Sequence, residues 1–155
     1  MALGVPVLAL DSSATAADLP SASVFSAKLL PDRPGLVSWK TLASVEPVKQ
    51  GATIVPRFAK EILDLDKRRV QVQGFVLALD LGMEHTHFLI TAVPPHCQYC
   101  LPAGPDAIVE VFAKKPVRYG IEPIIVGGKF SVLRSDPSGV LYRLTEAEVV
   151  EAGGK

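Results

Sequence analysis

Arg69-Val-Gln-Val-Gln-Gly-Phe-Val-Leu-Ala-Leu-Asp-Leu81 is the stretch that decides the fold class of this chain. Val70 and Val72 alternate with polar residues, and the run becomes continuously apolar after Gly74. This pattern predicts a long β-strand that is bent at a glycine. Because further apolar runs separated by turn residues follow it, the sequence predicts a mainly β domain.

Four more strands are predicted after this one. They cover residues 85–93, 107–113, 123–134, with a bend at Gly127-Gly128, and 139–144. Ser135-Asp-Pro-Ser-Gly139, between the last two, is a hairpin-turn signal. Five strands with glycine bends favour a small five-stranded antiparallel barrel of the oligonucleotide/oligosaccharide-binding (OB) type, with a β-sandwich as the alternative.

One short helix is predicted ahead of the barrel, over residues 57–65. Phe58, Ile62 and Leu65 share a helical face there, shortly after Pro56. Trp39 is the single tryptophan and is expected to anchor a short segment laid over the core.

Residues 1–35 predict a flexible N-terminal tail or the remnant of a signal peptide, followed by one domain at residues 36–150. The tail is rich in Ala, Ser and Pro and shows no periodicity. Its first ten residues are apolar, and small residues follow them up to Ala17, as before a signal-peptidase site. The basic n-region that is typical of a signal peptide is missing. An exported protein is therefore expected.

Composition and charge exclude several classes of function. Hydrophobic residues make up 48% of the chain and charged residues 21%, as in globular proteins. Lys plus Arg is 16 and Asp plus Glu is 16, so no net field attracts nucleic acid, and no nucleic-acid partner is expected. No apolar run is long enough to span a membrane. No nucleophile elbow, paired acids or phosphate-binding loop is present, so the sequence predicts no enzyme, no catalytic residue and no organic cofactor.

The chemistry-bearing residues are concentrated in one stretch, Glu84-His-Thr-His-Phe-Leu-Ile-Thr-Ala-Val-Pro-Pro-His-Cys-Gln-Tyr-Cys100, which contains every histidine and cysteine of the chain. His85 and His87 are two residues apart on a predicted strand and are expected to share one face. Cys97 and Cys100 can hold one ion from a single turn, and the mixture of sulfur and imidazole suits zinc or copper. The predicted metal ligands are Cys97, Cys100, His87, His85 and His96.

Other interpretations of these residues stay open. A Cys-x-x-Cys pair in an exported protein is also typical of a structural disulfide. Catalytic thiol exchange is less favoured, because no βαβ pattern surrounds Cys97 and Cys100. The three histidines are also compatible with solvated positions at a strand start and in a loop.

Several short stretches of the sequence resemble the domain of unknown function 3299 (DUF3299) family of small bacterial proteins. They are Trp39-Lys-Thr-Leu42, Gly74-Phe-Val-Leu-Ala-Leu-Asp80, His87-Phe-Leu-Ile90, Cys97, Ile108-Val-Glu-Val111, Val126-Gly-Gly-Lys-Phe130 and Leu141-Tyr-Arg-Leu144. The resemblance implies a periplasmic or otherwise exported protein, lipid-anchored where the leader is of the lipoprotein type. It also implies an envelope partner of a metal-uptake transporter of the ABC type, with zinc as the usual metal and no established enzymatic activity.

The sequence departs from the family at the proposed ligands. Many members have Cys-x-His followed by prolines where this chain has Cys97-Gln-Tyr-Cys100. The resemblance therefore implies Cys97 as a ligand and Cys100 as a substitute for the histidine that Tyr99 replaces. A second thiolate makes the site softer, which moves the preference toward Cu(I) without excluding Zn(II). The predicted function is a non-catalytic periplasmic metal-binding protein in metal uptake or trafficking. The alternative is a structural or interaction module of an envelope transporter complex with a Cys97–Cys100 disulfide.

Overall fold

The computed structural model describes residues 29–95 and 104–151. In chain order the elements are α1 (Trp39–Leu42), β1 (Val45–Gln50), β2 (Thr53–Phe58), α2 (Lys60–Leu63), β3 (Arg69–Ala78), β4 (Glu84–Thr91), a 3-10 helix (Pro105–Ala107), β5 (Ile108–Arg118), β6 (Ile124–Val132) and β7 (Tyr142–Glu151). Strands dominate and the helices are short, so the predicted mainly β class is confirmed.

The last five strands form a closed barrel with the order β3-β4-β5-β7-β6, and β6 closes onto β3. This arrangement confirms the predicted small OB-type barrel. The barrel is mixed rather than wholly antiparallel, because β5 and β7 pair in parallel. The strands alternate in direction along the sequence, so β7, which lies between β5 and β6, must run in the direction of β5.

A two-stranded hairpin of β1 and β2 precedes the barrel and ends at Phe58, inside the range predicted to be a helix. The sequence did not predict this hairpin because its strands contain Pro47 and Pro56, and proline normally argues against a strand. The two prolines lie opposite each other in the ladder. Proline has no N–H, so it is tolerated where the backbone nitrogen points away from the partner strand, and both strands of this hairpin are edge strands.

The core fills the barrel and extends beneath the preceding helices. Trp39 is 5% exposed, and its Nε1 donates a hydrogen bond of 2.8 Å to the carbonyl of Gln73, so its predicted anchoring role is confirmed. Phe58 and Ile62 are buried as predicted, although Phe58 belongs to β2 and the helix is shorter than expected. Leu30, which the sequence analysis placed in the tail, is 5% exposed and packs in the core.

Strand β7 differs most from its predicted bounds, because it begins at Tyr142 and continues to Glu151 rather than ending at residue 144. Its second half, Thr145-Glu-Ala-Glu148, has no strand-like composition. Pairing with both β5 and β6 overrides this local preference. The register shifts along both ladders, and Glu146 adopts a positive φ of 51°, so the strand bends as it closes the barrel.

Replacing Tyr142 with phenylalanine is expected to destabilise the protein at pH 7 by about 1–2 kcal/mol, because it leaves a buried carbonyl without its donor. The fully buried Tyr142 hydroxyl donates a 2.5 Å hydrogen bond to the carbonyl of Leu42, which ties α1 to the barrel. Burial, followed by the charge of Asp106, raises the pKa of the Tyr142 phenol. The unfolded chain therefore loses this proton first, and the wild type should lose stability as the pH rises above about 10.

Urea denaturation of both proteins at pH 7 and pH 11 measures the two effects. The stability difference between wild type and Tyr142→Phe should shrink at the higher pH, because the variant lacks the titrating phenol. Equal stability at pH 7, or a difference that does not change with pH, would contradict this prediction.

Candidate functional site

The two histidines of β4 occupy different environments. His85 is 2% exposed and lies opposite buried Val117, whereas the His87 side chain is 46% exposed and lies opposite half-exposed Phe112. The register between β4 and β5 shifts between these two pairs. The expectation that His85 and His87 share one face is therefore wrong, because regular strand alternation does not continue through this irregularity.

His85 lies beside the turn that joins β3 to β4. Its Nδ1 is 3.0 Å from Oδ1 of Asp80, which is within ion-pair distance but outside hydrogen-bond geometry. Among the described residues, neither ring nitrogen of His85 has a hydrogen-bond partner. The backbone N–H of Gly82 donates to the same Asp80 oxygen at 2.9 Å and lowers the pKa of this carboxyl, and the charges of His85 and His87 act in the same direction. Asp80 is thus held as an anion next to a buried imidazole.

His87 belongs to a polar network on the outside of β4, β5 and β7. Its Nε2 is 2.9 Å from Oε1 of Glu110, and the other oxygen of Glu110 accepts a 2.6 Å hydrogen bond from Nε of Arg143. Glu110 is only 8% exposed. A nearly buried carboxylate is costly unless it is paired, and here both of its oxygens are engaged.

The Arg143 side chain is also held by Asp136 and by the ring of Phe112. Its Nη2 donates to Oδ2 of Asp136 at 3.0 Å, and the other Asp136 oxygen accepts from the hydroxyl and the backbone N–H of Ser138. The hydroxyl and N–H of Ser138, together with Arg143, lower the pKa of Asp136. The ring of Phe112 stacks on His87 at 4.3 Å between centroids, and the Arg143 guanidinium lies 5.7 Å from the same ring. The imidazole of His87 is therefore held by a carboxylate at one side and an aromatic ring against its face.

Glu110, Arg143 and Asp136 were not predicted as site residues. The sequence carries a signal for the first two: Glu110 is the one charged residue in the apolar stretch Ile108-Val-Glu-Val111, and Arg143 is the one charged residue in Leu141-Tyr-Arg-Leu144. Both stretches, like the one that begins at His87, carry the DUF3299 resemblance. A charge inside a predicted buried strand requires a partner, but the sequence does not reveal which one.

The other predicted ligands, His96, Cys97 and Cys100, lie outside the described residues. Within residues 29–95 and 104–151, no group of three or more His, Cys, Asp or Glu side chains is arranged to hold a metal ion. The proposed metal ligands therefore remain a prediction. In the same part of the chain, no helix is long and apolar enough to cross a membrane.

The described geometry allows one kind of chemistry at each imidazole. A carboxylate lies at one ring nitrogen, Nδ1 of His85 and Nε2 of His87, and no described residue bonds to the other nitrogen. A carboxylate at one nitrogen favours the tautomer whose lone pair is on the opposite nitrogen. His87, whose side chain is 46% exposed, can thus offer that lone pair to a metal ion or a proton, whereas both ring nitrogens of His85 are buried.

The strand order, the parallel β5–β7 pair and the closure onto β3 define an OB-type barrel protein. No protein-family model and no curated protein matches the sequence. Among solved structures, the chain is similar to the crystal structure of a DUF3299 family protein from Pseudomonas aeruginosa PAO1, with a TM-score of 0.54, 20% sequence identity, and coverage of 79% of this chain and 100% of that one. This likeness shows a shared fold and supports the DUF3299 resemblance inferred from the sequence.

Proposed function

We propose that this protein binds a zinc or copper ion in the bacterial envelope, without catalytic activity, as a carrier or accessory of metal uptake. Cys97 and Cys100 supply thiolates, and His87 supplies the first imidazole, with His85 and His96 as further candidates. The observation that carries the proposal is the bond between His87 and Glu110. Metal-ligating histidines nearly always have a carboxylate or carbonyl at the nitrogen that does not bind the metal.

The position of Pro95 also supports the proposal. Pro95 and Asp80 line the same surface cavity, and Asp80 lies beside His85. Pro95, the last described residue before Cys97, therefore lies at a cavity that is also lined by Asp80, the neighbour of His85. Thiolate and imidazole together suit soft or borderline cations, so Zn(II) and Cu(I) are the ions to test.

The DUF3299 resemblance supplies the proposed location and partner. An exported protein, periplasmic or lipid-anchored, would meet the metal before an ABC-type transporter or another envelope protein receives it. A Cys97–Cys100 disulfide, with the barrel acting only as an interaction module, is the alternative.

The test is metal analysis of the full chain purified under reducing conditions, with Cys97→Ser and Cys100→Ser as variants. We expect about one zinc or copper ion per chain in the wild type, and loss of that ion in either variant because serine does not supply a thiolate. Ser131→Ala, a change far from the cysteines in sequence, is the control and should retain the metal. No stoichiometric metal in the wild type, or full retention in both serine variants, would overturn the proposal. A mass two daltons below the dithiol form, measured on protein purified without reductant, would then favour the disulfide.

A further inference from the structure

One end of the barrel presents large aliphatic side chains to solvent. We call this surface the apolar tip, and it consists of Leu79, Leu81, Met83 and Ile121. Leu81 is 104% exposed, Met83 62%, Leu79 49% and Ile121 66%. Isolated exposed leucines are ordinary, but several together on neighbouring turns mark an interaction surface.

The apolar tip is held in place by the backbone. The backbone N–H of Tyr119 donates a 2.9 Å hydrogen bond to the carbonyl of Met83, which joins the β5–β6 connection to the β3–β4 turn. Asp80 accepts from the N–H of Gly82 and thereby fixes the turn that carries Leu81. Beside the tip lies a surface cavity of about 410 Å³, whose apolar lining includes Leu77 and Tyr119. An ordered apolar projection next to a cavity is suited to docking, since little side-chain and loop entropy remains to be lost.

The charges around the tip select the partner. Asp80, Glu84 and Glu122 are exposed. Among the described residues, exposed Arg118 lies directly opposite Glu84 on the neighbouring strand and exposed Lys115 lies further along β5, so Asp80 and Glu122 leave the rim of the tip acidic. This excess of carboxylates repels an anionic membrane surface, and it would also repel an identical tip on a second copy of the chain. It attracts a surface rich in lysine or arginine.

We propose that the apolar tip is a docking surface for a protein segment that carries aliphatic or aromatic side chains next to basic residues. Apolar contacts with Leu81 and Met83 supply most of the binding, and the acidic rim supplies orientation and selects against acidic partners. The cavity beside the tip is also lined by Asp80 and Pro95, so the tip adjoins the proposed metal site. The two proposals nevertheless fail separately, because docking is measured on the metal-free chain.

The experiment measures binding of the full, metal-free chain to two fluorescent amphipathic peptides with the same leucine pattern, one with lysine and one with glutamate at the polar positions. We expect the lysine peptide to bind, with an affinity that falls as salt is added, and the glutamate peptide not to bind. Leu81→Ser should weaken binding of the lysine peptide about tenfold or more. Ile54→Ser is the matched control, because Ile54 is 70% exposed on the β1–β2 hairpin, and it should bind like the wild type.

Several outcomes would overturn the proposal. These are equal binding of both peptides, unchanged binding by Leu81→Ser, or no binding of the lysine peptide by the wild type. Sedimentation velocity and phosphatidylglycerol vesicles test the other occupants, since self-association or vesicle binding that Leu81→Ser abolishes would assign the tip to a second copy or to a membrane. The thermal midpoint of Leu81→Ser should equal that of the wild type, because the residue is fully exposed.

Discussion

Replacing Gly74 with alanine is expected to destabilise the barrel by about 3 kcal/mol or more, because overpacking a core at an immovable backbone contact is among the most costly substitutions. A Cβ at this position would lie 2.0 Å from Cγ2 of Ile90 and 2.9 Å from the carbonyl oxygen of Thr91. Ile90 is fully buried, so any shift of its side chain must be taken up by the surrounding close-packed core. The oxygen of Thr91 belongs to the strand that pairs with β3, so it cannot withdraw without breaking the ladder.

The close approach of β3 to β4 falls at Gly74 because β3 changes its partner strand there. The residues up to Gly74 pair with β6, and those from Phe75 onward pair with β4. Gly120→Ala is the matched control, since a Cβ at Gly120 meets no atom within 4 Å, and it should change stability by no more than about 0.5 kcal/mol. Guanidinium denaturation followed by circular dichroism measures both variants. A Gly74→Ala protein as stable as Gly120→Ala would contradict the close approach of β3 and β4.

Replacing Glu110 with glutamine is expected to lower the affinity for the proposed metal ion by about 10- to 100-fold, the usual cost of losing the group that orients a ligand. The carboxylate engages His87 with one oxygen and Arg143 with the other. A glutamine has one oxygen and one amide nitrogen, so it can accept from only one of these two donors. The tautomer and orientation of His87 are then no longer fixed.

The control is Asp136→Asn, which weakens the second ion pair of Arg143 while leaving the bond between Glu110 and His87 in place. Competition of each variant with a chromophoric chelator gives the affinity, and denaturation of the metal-free proteins shows whether the fold has changed. We expect a clear loss for Glu110→Gln and a small one for Asp136→Asn. Equal affinities in the two variants would show that Glu110 does not act through His87.

Much of the fold was predictable because it depends on local patterns. The alternation before Gly74 and the apolar run after it marked β3, and Ser135-Asp-Pro-Ser-Gly139 marked the turn before β7. Gly139 has a positive φ of 76° in that turn, and its N–H donates to the carbonyl of Asp136. The hairpin of β1 and β2 was missed because its prolines are acceptable only at outward-facing edge positions, which the sequence does not identify.

The candidate site was less predictable. The sequence predicted that His85 and His87 lie on one strand, but it assumed a regular alternation that a register shift interrupts. Glu110 and Arg143 are 33 residues apart in sequence, and they meet only because β5 and β7 are neighbours in the barrel. Composition and spacing do not indicate contacts between strands that are distant in sequence.

The amino-acid sequence by itself determined the number of barrel strands, the burial of Trp39 and the clustering of histidine and cysteine in one segment. Each of these depends on side-chain size, hydrophobic period or turn chemistry over a few residues. Tertiary structure alone decided the parallel pairing of β5 and β7, the separate environments of His85 and His87, and the network through Glu110 and Arg143. These features arise when the barrel closes, because closure fixes which strands are neighbours and in which register their side chains meet.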